Sequence, residues 1–211
     1  AFPRTGEGGV KMGARIEDLV DQVVETDLLV IGGGLAGCMA ALKGSEDGEI
    51  DVVVVEKAAL KTSGEVRSED GVMIPHPRIT GRPVEEEAKA RAARYPGLGS
   101  YTLALAMARD VLKPLAVLEE IGVQLREDDG TVQLSAHQRQ PGGPVHTRPE
   151  EGQTTGDGFF YRGADAKEKL AQAVRRSPIR VFDRTMFTGL ITREDTVVGA
   201  TAVNVRTGKF L

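Results

Sequence analysis

Gly32, Gly34 and Gly37 stand at G-x-G-x-x-G spacing in TDLLVIGGGLAGCMAALKGSEDGEIDVVVVEK, and Glu56 lies at the end of the same stretch. Each glycine has a task in binding a dinucleotide. Gly32 permits a tight strand-to-helix turn, Gly34 lets the backbone approach a pyrophosphate, and Gly37 lets helix and strand pack closely. Backbone N–H groups along Gly32, Gly33, Gly34, Leu35, Ala36 and Gly37, at the positive end of the helix dipole, then face the phosphates. Glu56, about twenty residues on, is placed to accept hydrogen bonds from an adenosine ribose, and an acid there disfavours a 2′-phosphate. A glycine turn that serves packing alone is the plainer alternative. The strand, turn, helix, strand and terminal acid in register favour dinucleotide binding. Spacing leaves FAD and NAD open. A regular βα continuation would suit NAD, whereas this chain enters a loop containing Thr62, Ser63 and Gly64.

Other reactive side chains carry weaker signals. His76, His137 and His146 are the only histidines, and none has a partner carboxylate at motif spacing. Solvated loop histidines are therefore favoured over a proton donor. Arg139, Arg148 and Arg162 could clamp an anion, but ordinary exposed charges are favoured. Cys38, the single cysteine, sits on the first turn of the dinucleotide helix and reads as a small buried packing residue. No cluster with metal-ligand spacing exists, and no catalytic acid or base is assigned.

These residues need elements to position them. Asp27 to Ile31 and Glu49 to Val55 read as strands, too uniformly apolar for a surface sheet, with a helix of small residues from Leu35 to Lys43 between them. The result is a βαβ unit on a parallel sheet. Ala58 to Pro83 reads as a ligand-lining loop, and Val84 to Arg94 as a charged helix with a solvated face and pairs such as Glu85–Lys89 and Glu87–Arg91. Ser100 to Ile121 reads as one helix, with Leu103, Met107, Leu112, Leu115 and Leu118 near one side. Pro114 should kink it, and Gly122 supplies its stop. A short strand from Val123 to Arg126, a turn at Glu127 to Gly130 and a long loop from Leu134 to Gly158 follow. Ala164 to Val174 is the last helix. The chain then reads as an antiparallel meander: Ile179 to Phe182, Met186 to Thr192, and, after a turn at Arg193-Glu194-Asp195, Val197 to Val205. It closes just after a turn at Thr207-Gly208-Lys209, which gives the expectation of an incomplete domain.

At 211 residues and a net charge of −4, the chain can bury a sizeable core and shows no basic face for nucleic acid. Its longest near-apolar run, Leu28 to Leu42, is broken by glycines and too short to span a bilayer. One cysteine gives no disulfide framework, and a reducing, cytoplasmic setting is expected. Residues Ala1 to Glu25 form an N-terminal arm, with a short amphipathic stretch at Ala14 to Val24, and 26–211 the domain.

Three stretches together, ETDLLVIGGGLAGCMAALKG, VVVVEKAALKTSG and VFDRTMFTGLITREDTVVGATAVNVRTG, resemble the flavoprotein subunits of the succinate dehydrogenase/fumarate reductase superfamily. The start is most similar to the alpha subunit of adenylylsulfate reductase. The resemblance implies FAD, with its pyrophosphate at the glycine turn and its adenosine ribose at Glu56. Lys57 would flank the adenosine half, Thr62, Ser63 and Gly64 would lie near the isoalloxazine, and Phe187 marks a segment whose backbone meets adenine. In covalent members a histidine beside that serine bonds the flavin. Gly64 stands there here, which implies non-covalent FAD. The run Arg67 to Met73 lacks the family's small-residue stretch. The capping domain with its substrate-binding residues and the second flavin-binding stretch have no counterpart. The expected fold is α/β: a Rossmann-like FAD-binding domain with a parallel sheet and an antiparallel β-meander, incomplete relative to the family. The expected function is the FAD-binding part of an oxidoreductase that moves hydride or electrons between flavin and a small substrate. The remaining flavoprotein or an iron–sulfur subunit is the implied partner, and attachment to a membrane would be peripheral, through that partner. A non-catalytic FAD- or adenine-nucleotide-binding module is the second reading, and an NAD-dependent dehydrogenase the third.

Overall fold

In a computed structural model of the chain, residues 20–68, 72–75, 82–125 and 158–211 are described. Strand β1 (Leu28–Ile31) leads through the glycine turn into helix α1 (Leu35–Gly44), and β2 (Val52–Glu56) follows. β2 pairs in parallel with β1, Leu28 opposite Val52 through Ile31 opposite Val55. Every residue of β2 is buried, as its four consecutive valines require of a strand covered on both faces. Small side chains let α1 lie close on this sheet, with Cys38 and Ala41 fully buried against it.

Two short 3₁₀ turns, Leu60–Thr62 and Val66–Ser68, carry the chain to β3 (Val72–Pro75). β3 pairs antiparallel with β4 (Gly158–Tyr161): β3 lies inside a segment that the sequence reads as a loop, and β4 begins where the second expected loop ends. Helix α2 (Val84–Ala93) agrees with its expected span but not with its expected surface. Glu87 is buried, 3.8 Å from Arg82, and Glu85 reaches Arg109 of the next helix at 3.5 Å.

The expected long helix is two: α3 (Tyr101–Asp110) and α4 (Leu112–Glu120). The break at Val111 lies upstream of Pro114, which sits in the first turn of α4, where a missing N–H leaves no intrahelical bond unmade. Ser100 caps α3 by accepting from the Leu103 N–H at 3.3 Å. α3 buries Ala104 and Ala108, leaving Leu103 and Met107 exposed, whereas α4 buries Leu115 and Leu118 as expected. Gly122 ends α4 at φ +91°, a left-handed position suited to glycine. Val123 and Leu125 are buried in irregular backbone, not a strand.

Helix α5 (Gly163–Arg176) is strongly amphipathic and buries Ala166, Leu170, Ala171 and Val174 against α1 and the sheet. It leads into β5 (Arg180–Asp183), which corrects the expected meander. β5 pairs in parallel with β2, so the sheet order is β1-β2-β5. Of the three strands expected in that meander, β6 (Thr185–Arg193) and β7 (Thr196–Asn204) alone pair antiparallel, with an added bridge from Val203 to Phe210. Between them, Glu194 and Asp195 both hold positive φ, as a two-residue hairpin turn with right-handed strand twist demands. The fold class stands: α/β, with a parallel sheet and an antiparallel strand pair. The histidines, Arg139, Arg148, the arm at 1–13 and the 127–130 turn lie outside the described residues.

Candidate functional site

The glycine turn rests on close backbone approach. Gly32 adopts φ +98° and its N–H donates to the Val55 carbonyl at 2.8 Å, closing the turn on β2. A Cβ on Gly37 would lie 1.8 Å from the Gly32 oxygen, so no side chain fits there. Gly33 is hemmed in as well: its Cβ would meet Leu60 at 2.4 Å. Gly34 differs. Its φ of −65° and ψ of −171° suit any residue, and an added Cβ would touch only the Gly64 Cα, at an ordinary 3.8 Å. Folding does not require glycine at position 34, whereas a group lying against the backbone there does.

That group meets a set of donors. Gly34 is the N-cap of α1 and supplies no side-chain cap, and the helix has no acid in its first turn. The N–H groups of Gly34, Leu35, Ala36 and Gly37 find no acceptor among the described residues; the first satisfied one is Cys38, bonded to the Gly34 carbonyl at 2.9 Å. Open amides at the positive end of a helix suit an anionic diester. The chain thus fits the pyrophosphate of a dinucleotide where the motif predicts it.

Glu56 is placed beside this turn, but with more to do than the sequence suggests. It is 5% exposed, and each carboxylate oxygen already accepts from a backbone amide: Oε2 from Gly33 N–H at 2.6 Å, and Oε1 from Ala58 N–H at 2.7 Å. It therefore braces the turn, with further lone pairs left for a ribose hydroxyl. Ser63 braces the next peptide, Gly33–Gly34. Its buried hydroxyl lies 2.9 Å from both the Gly33 and Leu60 carbonyls. Gly64, at φ +80°, packs face to face with Gly34, and a Cβ on it would sit 2.9 Å from the Gly34 Cα. Lys57 and Thr62 are exposed alongside. The Leu60 N–H is fixed by Asp183 of β5 at 2.8 Å, and Lys61 pairs with Glu168 of α5 at 2.8 Å. Phe187 lies elsewhere. It lines a cavity of about 610 Å³ between the sheet and the β6–β7 hairpin, with Ile31, Val55 and Leu190.

One residue here escaped the sequence reading. Lys167 is fully buried, and its ammonium donates to the Gly33 carbonyl and to the Cys38 thiol, the latter at 3.3 Å. The signal was present in the period of α5: Lys167 stands one turn from Ala171 and three residues from Leu170, on the apolar stripe itself. Cys38 is buried as expected and also donates to the Gly33 carbonyl at 3.3 Å. Burial pushes its thiol up, and Glu56 adds to this, while Lys167 pulls in the opposite direction. Arg162 is exposed at the start of α5. No group of metal ligands occurs among the described residues, and none of their helices is long and apolar enough to cross a membrane.

Comparisons agree with this geometry. The family model for the FAD binding domain, FAD_binding_2, matches residues 27–210. No curated protein matches significantly. Among solved structures, the apo Sdh1 complex of Mycobacterium smegmatis is similar at 24% identity and a TM-score of 0.66, over 88% of this chain and 32% of that one. A variant of FrdA of E. coli quinol fumarate reductase is 16% identical with a TM-score of 0.68, over 88% and 30%. Adenylylsulfate reductase of Archaeoglobus fulgidus is 25% identical with a TM-score of 0.63, over 90% and 29%. The chain therefore spans about a third of the length of these relatives. With a braced glycine turn, open amides and a match across nearly all of its length, the chain belongs to the FAD binding domain family.

Proposed function

We propose that residues 26–211 form the FAD-binding portion of a flavin-dependent oxidoreductase that passes hydride or electrons between the flavin and a small substrate. The single observation that carries the site is Gly34, a glycine that the fold does not need, where an added Cβ would make only an ordinary contact with Gly64, beside unsatisfied amides. Gly34, Leu35 and Ala36 would hold the pyrophosphate through their N–H groups, and Glu56 the ribose through its remaining lone pairs. Lys57 would flank the adenosine half, Thr62, Ser63 and Gly64 would border the isoalloxazine, and the backbone near Phe187 would meet adenine. Bound FAD supplies the redox chemistry, and the chain's share is to bind and orient it.

The cofactor is held without a covalent bond in this reading, since Gly64 offers no side chain to the ring. Iron–sulfur protein or further flavoprotein is the proposed partner, in keeping with the complex named for the M. smegmatis relative. A peripheral membrane association would run through that partner.

The test is to add FAD to the purified chain and follow flavin fluorescence, absorbance and release by acid. Saturable binding, with all flavin released on denaturation, is expected. Binding of NAD without any uptake of flavin would contradict the reading.

A further inference from the structure

Lys167 holds a charge for which the described residues offer no carboxylate in salt-bridge range. Among the described residues no carboxylate lies within 4.0 Å of its ammonium, although the side chain is fully buried. Its two partners are neutral: the Gly33 carbonyl and the Cys38 thiol, which burial keeps protonated. Glu56, the carboxylate that acts on the same thiol, is already held by two backbone amides. A buried cation normally needs an opposite charge to offset its desolvation.

The peptide that Lys167 contacts indicates where that charge enters. The Gly33 carbonyl and the Gly34 N–H belong to one trans peptide and point in opposite directions. With the carbonyl turned inward to Lys167, the Gly34 N–H faces outward to the phosphate side. Donation to the carbonyl also polarises the peptide, which strengthens the amide as a donor. Ser63 and Cys38 add to the hold on the same oxygen, but neither brings charge.

We propose that Lys167 is a positioning residue for the FAD pyrophosphate: it fixes the Gly33–Gly34 peptide with its N–H toward the phosphates and supplies positive charge from behind the turn. The inference rests on the reading of this turn as the FAD site. It adds a charged residue from α5, 134 positions away in sequence, to a site otherwise built of glycine backbone.

The test compares ligands with and without phosphates in the 211-residue chain. FAD binding is read by flavin fluorescence, and ADP and adenosine by competition against it. K167M should lower FAD and ADP affinity roughly ten-fold, as loss of a charge-assisted interaction does, and leave adenosine within about two-fold. Melting of the cofactor-free chain should hold steady or rise, because methionine removes a buried charge. K167Q, which keeps a donor to the Gly33 carbonyl, should fall between. If K167M does not fold, K167Q is judged by the same ratio of ADP to adenosine affinity. Equal losses for ADP and adenosine, or no loss for either, would overturn the role. A wild-type chain that binds neither FAD nor ADP overturns the site reading and this role together. One that binds both, with the variants indistinguishable from it, overturns the role of Lys167 alone.

Discussion

The glycine turn and the β6–β7 hairpin flank the same parallel sheet and are built in opposite ways. At the turn, Glu56, Ser63 and Lys167 are buried polar groups that converge on Gly33, and each has a named hydrogen-bond partner. The hairpin rests on the sheet through apolar side chains, with a cavity beneath it and Leu190, Val197 and Val198 exposed. Geometry is specified tightly in the first region, because a buried donor or acceptor left unpaired costs about 1–3 kcal/mol. In the second it is specified by pairing register and turn chemistry, which tolerate side-chain change.

That contrast can be broken by substitution. The largest effect should come from Gly37→Ala, whose Cβ would lie 1.8 Å from the Gly32 oxygen. A loss of about 3 kcal/mol or more in denaturant unfolding is expected, with FAD binding lost as the turn opens. Normal stability in that variant would mean that the turn is not packed as described.

Glu56→Gln comes next. An amide presents its NH₂ group to one of two backbone N–H donors, at Gly33 or Ala58. The chain should lose about 1–3 kcal/mol before any cofactor is added, and FAD affinity should fall as well. Loss of affinity without loss of stability would assign Glu56 to the ribose alone.

Alkaline unfolding sharpens the same side of the comparison. Burial holds the Cys38 thiol above its ordinary range in the folded chain. The unfolded chain therefore releases that proton first. Stability from this site is complete below about pH 8.5 and falls as pH rises beyond it. In urea midpoints measured from neutral to alkaline pH, Cys38→Ala should show a shallower decline. An unchanged slope would remove the thiol from the buried cluster.

The smallest effect belongs to the hairpin. Asp195 holds φ +63°, where glycine carries no steric penalty, so Asp195→Gly should stabilise the chain by about 0.5–1 kcal/mol, without altering FAD binding. A change in cofactor affinity there would mean that the hairpin and the turn are coupled.

The two regions also differ in how far the sequence discloses them. Gly32, Gly37 and Glu56 are legible because a tight, closely packed strand-to-helix turn imposes a fixed local spacing. The four valines of β2 are legible because burial on both faces leaves no polar position. Lys167 was not, since a lysine in a charged helix reads as solvent-facing until its position on the apolar stripe is counted. Nor was the parallel placement of β5: a short strand before a hairpin carries no local mark of which sheet it joins. The split at Val111 was hidden by apolar periodicity running through it, and β3–β4 by their separation in sequence.

The most direct measurement is made on Gly34→Val, with FAD affinity and cofactor-free stability read on the same preparation. Position 34 has unstrained backbone, and only Gly64 lies near its Cβ direction. Stability should change by less than about 1 kcal/mol, while FAD affinity falls at least roughly ten-fold. Full FAD affinity with a valine at this position would contradict the cradle.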